Sequence, residues 1–261
     1  MALGSSRFAS MVINPTENPS RPIPKNLTPQ PFLDVSPETR SKITKNSIDR
    51  TNKALQRLST MGDWLQMKQH INTRQIMKDL EPYKDSWKPY NLRNSNNRWG
   101  LSITSLDGGL SGVPDLDSLL QYNKIHGTSI TNHHIKEYTE VYDNSKELQK
   151  LIEPWKPWLG RCHFLKLNTG GYFPEHYDVN KIEYGYDEIR FITFINRCDK
   201  KDLKFIYEDT VRDVKDGQMF YFNANKRHSV FSTSDDIIML VFCMKFDELL
   251  FERLIEQYRF A

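Results

Sequence analysis

His176 and Asp178 stand two residues apart, His228 follows fifty positions after Asp178, and Arg190 lies between them in the apolar run from Ile189 to Ile195. Two imidazoles and one carboxylate can hold a non-haem Fe(II) and leave coordination positions open for oxygen and a co-substrate. On an extended backbone, side chains two apart face the same side, so His176 and Asp178 can point inward together while Tyr177 points away. His-x-Asp alone is a weak signal in a chain with seven histidines. Its context strengthens it: Gly170 and Gly171 allow a sharp approach, Pro174 fixes the entry, and the flanking segments read as strands. Arg190, twelve residues after Asp178, suits a neighbouring strand, where its planar fork could pair with the carboxylate of a dicarboxylate that chelates iron at its other end. The remaining histidines are poorer ligands. His133 and His134 diverge on any regular element, although His133 and Glu137 have helical i, i+4 spacing. His70, His126 and His163 lack a paired ligand, and His163 reads as a core or supporting residue.

These residues need a scaffold, and beyond Gly160 the texture is β. Candidate strands are Cys162–Leu167, Glu188–Ile195, Leu203–Tyr207, Met219–Phe222, Ser229–Ser232 and Ile237–Phe246, separated at short intervals by Asn, Asp, Gly and Lys. Many short strands so punctuated indicate a barrel or sandwich, a double-sheet jelly roll being one solution. His228 begins a late strand, which a jelly roll would return against an early one. Upstream, Trp99–Leu106 alternates apolar and polar positions before the Asp107-Gly108-Gly109 turn and reads as a strand. Leu116–Leu120 and Ser145–Ile152 read as short helices. Ile43, Ile48, Ala54, Leu55 and Leu58 recur at helical spacing after Ser36-Pro37, and helices there should end near Glu81-Pro82. Residues 1–37, rich in Pro, Ser, Asn and Thr, read as an extended arm. Asp247–Phe260 spaces Leu249, Leu250, Leu254, Ile255 and Tyr258 as an amphipathic helix, able to cover a sheet face or a second subunit and so to form a homodimer.

Composition narrows the class. A chain of 261 residues with 38% hydrophobic and 12% aromatic content can build the core of a globular enzyme. The net charge of +3 is too small to imply a nucleic-acid partner. Residues 1–60 carry nine Lys or Arg against four Asp or Glu, so the positive excess belongs to the arm. Cys162, Cys198 and Cys243 form neither a disulfide framework nor a zinc knuckle and read as buried thiols. No apolar window approaches a membrane span and no signal peptide is visible, so the expectation is a cytoplasmic protein without a membrane partner.

Four segments, Pro174-Glu-His-Tyr-Asp178, Ile189-Arg-Phe-Ile-Thr-Phe-Ile195, Asp216-Gly-Gln-Met-Phe-Tyr-Phe-Asn223 and His228-Ser-Val-Phe231, taken in this order, resemble the 2-oxoglutarate- and Fe(II)-dependent oxygenases. Within them the likeness is to the aspartyl/asparaginyl β-hydroxylase and proline 3-hydroxylase group, over roughly residues 160–247. The resemblance implies that His176, Asp178 and His228 bind iron and that Arg190 binds the distal carboxylate of 2-oxoglutarate. Members of the group usually carry an arginine about ten residues after the distal histidine. Here that region is Asp235-Asp236-Ile237-Ile238, so the task would fall to Arg190, helped by Lys166 on the preceding strand. Asn168, Tyr172 and Thr193 are candidate polar contacts around the cavity, with Trp99, Ser102 and Thr104 at its mouth. The carboxylate at position 178 favours hydroxylation over the halogenation of related enzymes that keep this position small.

The expected architecture is α+β: a double-stranded β-helix (jelly-roll, cupin-like) core over about 97–246, a helical flank over about 38–95 and a C-terminal helix over 247–260. The expected activity is hydroxylation of an amino acid or peptidyl side chain, using Fe(II), 2-oxoglutarate and O2 and releasing succinate and CO2. Two other readings stay open. One is a cupin-like metalloenzyme that does not use 2-oxoglutarate. The other is a non-catalytic jelly-roll interaction module with the arm and terminal helix as docking elements.

Overall fold

The computed structural model describes residues 53–54, 56–91, 97–178 and 188–258. The expected arm over 1–37, the first part of the helical flank and the last residues of the terminal helix lie outside them. In chain order come β1 (Trp64–His70), α1 (Thr73–Leu80), β2 (Lys88–Pro89), β3 (Arg98–Ser102), β4 (Thr104–Ser105), α2 (Leu119–His126), β5 (Glu137–Tyr138), α3 (Glu140–Asp143) and α4 (Lys146–Ile152). There follow β6 (Leu159–Leu167), β7 (Tyr172–His176), β8 (Glu188–Asn196), β9 (Leu203–Tyr207), β10 (Thr210–Val211), β11 (Gln218–Phe222), β12 (His228–Ser232), β13 (Ile237–Lys245) and α5 (Glu248–Gln257).

A seven-stranded antiparallel sheet has the order β1-β11-β8-β13-β6-β3-β2, and a four-stranded sheet the order β10-β9-β12-β7. From β6 to β13 the chain steps repeatedly between the two, with β6, β8, β11 and β13 in the large sheet and β7, β9, β10 and β12 in the small one. This is the double-stranded β-helix, or jelly roll, within an α+β fold. Directly paired residues of antiparallel neighbours share a face. The register of β11, β8, β13 and β6 therefore splits the large sheet in two. One face, with Ile192, Phe194, Phe220, Phe222, Met239, Val241 and Leu165, meets Phe205, Tyr207 and Val230 of the small sheet and forms the barrel interior. The other, with Phe164, Phe191, Phe242, Leu240 and Tyr221, packs with Ile76 and Leu80 of α1, Leu151 and Ile152 of α4, and Leu250, Phe251 and Leu254 of α5. Buried on both faces, the central strands read as unbroken apolar runs, which is why β13 shows no alternation.

Caps and turns set several boundaries. Asn72, Ser145 and Asp247 accept backbone N–H bonds from Gln75, Leu148 and Leu250 and so start α1, α4 and α5. The short helix expected at Leu116–Leu120 instead runs over Leu119–His126: Ser118 is its cap, and Gly127 closes it at φ +61°. The single strand expected over Trp99–Leu106 is divided, because Thr104 leaves the large sheet to pair with Tyr138 of β5. β1 lies where only helix was expected. Its Leu65 and Met67 are buried in the helix-covered core, and it adds an edge to the large sheet along β11.

Candidate metal centre

β7 and β12 are antiparallel neighbours in the small sheet, and His176 and His228 are direct partners in that pairing, with ring centroids 4.3 Å apart. Asp178 lies two residues past His176, just beyond β7, and its N–H donates to the Ala224 carbonyl at 2.8 Å. One ligand atom from each of His176, Asp178 and His228 can be chosen so that all lie within 4.8 Å of one another. His176 Nε2 is 3.6 Å from Asp178 Oδ1, and His228 Nε2 is 4.0 Å from Asp178 Oδ2.

The tautomers follow from the backbone. His176 Nδ1 lies 2.7 Å from the Pro174 carbonyl and His228 Nδ1 lies 2.9 Å from the Lys226 carbonyl. A carbonyl only accepts, so each Nδ1 must carry the proton, and each Nε2 lone pair is left for an ion. Burial holds the His228 imidazole below its ordinary value, which favours this neutral form. With metal–ligand bonds of about 2.1 Å, neighbouring ligands of an octahedral face lie roughly 3 Å apart, so the side chains need close by no more than about 2 Å. Asp178 Oδ2 is buried without an aligned hydrogen bond and meets the Arg190 guanidinium, which leaves Oδ1 beside His176 Nε2. The donor set and its geometry fit a divalent metal.

The centre opens on a cavity of about 400 Å³ between the sheets. Its inner wall is apolar, formed by Ile192, Phe205, Phe222, Val230, Met239 and Val241. Its cations come from the large sheet: Arg98 on β3, with its guanidinium over the Phe173 ring, and a pair nearer the triad. Arg190 on β8 pairs with Cys243 on β13, and Arg161 on β6 follows on the next strand. Arg190 Nη1 contacts Asp178 Oδ2 at 2.5 Å and Nη2 lies 3.6 Å from Glu188 Oε1. Burial pushes this guanidinium's pKa down, but Asp178, Cys243 and Glu188 outweigh it and the net shift is upward, so Arg190 stays charged. Burial likewise pushes the Cys243 thiol up to about 12, leaving a neutral group between two cations.

Arg161 has no such partner. Its Nη2 donates to Tyr90 Oη at 3.0 Å and its Nη1 to the Asp117 carbonyl at 3.4 Å, and among the described residues no carboxylate forms an ion pair with it. Beside it, His163 stacks on Tyr90 at 5.4 Å, and both of its ring nitrogens are buried without a partner. Burial, and then the charges of Arg161 and Arg190, hold that imidazole well below its ordinary value, so it is neutral.

The other expected contacts stand elsewhere. Lys166 is on the opposite face of β6 from Leu165, with its ammonium over the Trp87 and Trp99 rings, so neither it nor Trp99 reaches the cavity. Asn168 accepts from the Asp236 N–H in the turn after β6. Thr193 is fully buried on the helix-covered face of β8, opposite Met219 and Leu240. Tyr172 is a partly exposed partner of Phe231 on the small sheet. Thr104 bonds the Gly160 carbonyl, and Ser102 does not line the cavity. Arg161, His163 and Tyr90 line the cavity and are not among the contacts expected from the sequence. Extending the period of two back one residue from Cys162 places Arg161, His163 and Leu165 on one face, and that signal was available.

No protein-family model and no curated protein sequence matches the chain. Among solved structures, a Pseudomonas putida prolyl-4-hydroxylase is similar at 12% identity and a TM-score of 0.40, over 70% of this chain and 92% of that one. The viral collagen prolyl hydroxylase of Paramecium Bursaria Chlorella virus-1 is similar at 9% identity and 0.40, over 71% and 97%. An RmlC-like cupin from Shewanella frigidimarina is similar at 10% identity and 0.26, over 36% and 71%. Likenesses of this size identify no family, and the fold assignment stands on the strand order and register.

Proposed function

We propose that this chain is an Fe(II)- and 2-oxoglutarate-dependent dioxygenase that hydroxylates an unactivated C–H bond. One observation carries the reading: two Nε2 lone pairs and a carboxylate converge at a cavity that also holds a buried guanidinium, Arg161, which forms no ion pair with a carboxylate among the described residues. His176, Asp178 and His228 would hold the iron, and three ligands leave the remaining positions to the co-substrate and O2. Bound there, the ion would couple oxidative decarboxylation of 2-oxoglutarate, to succinate and CO2, with oxidation of the substrate.

The protein's own part is to bind, orient and exclude water. A five-carbon diacid spans roughly 5 Å between its end carbons by ordinary bond lengths, and two strand spacings separate Arg190 from Arg161, roughly 10 Å. A co-substrate chelated at the triad would therefore lie along the large sheet, with its far carboxylate at Arg161, Tyr90 and His163. Arg190, the residue that the sequence resemblance suggests for this task, is already engaged by Asp178 and Glu188. The apolar inner wall would keep water from the reacting carbon. Favouring an amino acid or peptidyl side chain as substrate rests on the sequence resemblance.

Anaerobic titration with Fe(II) and 2-oxoglutarate tests the reading, through the weak visible charge-transfer band of the chelate, followed by succinate measurement after oxygen is admitted. The band should form in the wild type and vanish in His176→Ala. A wild type that takes up no iron, or a band indifferent to His176→Ala, sinks the proposal.

A further inference from the structure

The two histidine ligands are fixed by their own strands, but Asp178 is not. It lies past the end of β7, tied there by its N–H to the Ala224 carbonyl, and its Oδ2 makes no aligned hydrogen bond. What holds it is Arg190, which is itself held: Glu188 Oε1 lies 3.6 Å from Arg190 Nη2. The Glu188 carboxylate accepts from Asn132 Nδ2 at both oxygens, at 2.9 and 2.8 Å, with His133 Nε2 3.9 Å away. Asn132 opens the tight turn Asn132–His134, whose backbone presses on β6 so closely that a Cβ at Gly160 would come within 2.6 Å of the Asn132 carbonyl. A chain of contacts thus runs from a turn packed on the large sheet, through a carboxylate and a guanidinium, to the least constrained ligand.

Neither Glu188 nor Asn132 lines the cavity. Arg190 Nη1 takes Oδ2 of Asp178 and leaves Oδ1 toward His176 Nε2, so one carboxylate oxygen is restrained and the other presented. The guanidinium's opposing effect on a divalent ion is offset by Glu188 behind it, so the Arg190–Glu188 pair is neutral and the Asp178 charge is left to the centre. A lysine could not bridge Asp178 and Glu188 in this way, because it lacks the two-ended planar fork.

We infer that Asn132, Glu188 and Arg190 form a positioning relay that sets the Asp178 carboxylate for metal capture, and that Arg190 acts on metal affinity rather than as the co-substrate's anchor. This rests on the reading of the triad as a metal centre. Residues behind metal ligands commonly change affinity by about 10- to 100-fold. The informative variant is Asn132→Ala, which changes no charge and touches neither ligand nor cavity.

Fe(II) affinity is measured under argon by competition with a chromophoric chelator, on the full chain, with circular dichroism as the folding control. Asn132→Ala should bind Fe(II) about tenfold more weakly than wild type, and so should Arg190→Lys. The double variant should be hardly weaker than either single one, since both break one chain of contacts. Glu188→Gln, which keeps the side chain's size, serves as the second probe where Asn132→Ala does not fold, and it too should weaken Fe(II). Affinity unchanged in Asn132→Ala, or additive losses in the double variant, overturns the relay. So does an Arg190→Lys variant that keeps its iron affinity but loses tenfold or more in 2-oxoglutarate affinity. Failure of the wild type to bind Fe(II) at all would instead remove the metal centre itself.

Discussion

Arg161→Leu separates the roles of the two central arginines. Arg161 is 8% exposed, and its guanidinium holds two neutral oxygens, the Tyr90 hydroxyl and the Asp117 carbonyl, so its charge is available to a ligand carboxylate. A charge-assisted bond is worth about 1.5–3 kcal/mol, which is roughly 10- to 150-fold in affinity. Leucine fills much of the volume and removes a buried cation that forms no ion pair among the described residues, and circular dichroism checks that the variant folds. The assay is anaerobic titration of the Fe(II)-loaded protein with 2-oxoglutarate and with 2-oxopentanoate, which has the same chain but no far carboxylate. Wild type should prefer 2-oxoglutarate by at least tenfold. Arg161→Leu should bind both acids alike, at the level of wild type with 2-oxopentanoate, with iron affinity unchanged. A variant that keeps the preference refutes the seat at Arg161 while leaving the metal centre standing.

Asp115, buried beside Arg161, provides a test in pH. Burial pushes its carboxyl up to about 7, against the opposing Leu106 N–H bond and the charge of Arg161. A folded-state value above the ordinary 3.8 means that the native chain holds a proton the unfolded chain has lost, so stability should fall as pH rises from about 4 to 7 and level off beyond. Asp115→Asn keeps an acceptor for Leu106 and should match wild type in urea unfolding at pH 4 but exceed it at pH 8, by up to about 4 kcal/mol; parallel curves would refute this. Gly217, at φ +85°, closes the turn before β11, and an added Cβ would meet His70 Cε1 at 2.7 Å and the Ile71 carbonyl at 3.1 Å. Gly217→Ala should therefore lower stability by about 1–3 kcal/mol in thermal or urea unfolding, and an unchanged midpoint would show the turn to be under no such constraint.

Much of the barrel was legible because its strands are short, rich in β-branched and aromatic residues, and separated by turn formers. The apolar runs at Ile189–Ile195 and Ile237–Phe246 matched β8 and β13 to within a residue or two. β1 escaped notice because Leu65 and Met67 sit among polar neighbours in a segment flanked by helical signals, and pairing with β11 decides its state. In the site, the period of two correctly placed His176 and Asp178 on one side of the chain. It could not say that His228 would stand directly opposite His176, since cross-strand register belongs to the fold. The polar contacts went astray for a related reason. Lys166 and Thr193 lie on the correct strands but on the wrong face, a matter of single-residue phase, whereas Arg161 lay in phase one residue before the expected start of β6.

The two imidazole protons, each tied to the carbonyl two residues before its histidine, also bear on how the centre comes into being. A ring that turned over would point its N–H at the ion and lose its anchor, so folding alone selects the single orientation of each ring that can accept a cation. Most of the ordering that capture requires is thus built into the fold, and the carboxylate, past the end of its strand, has the largest adjustment to make when an ion binds.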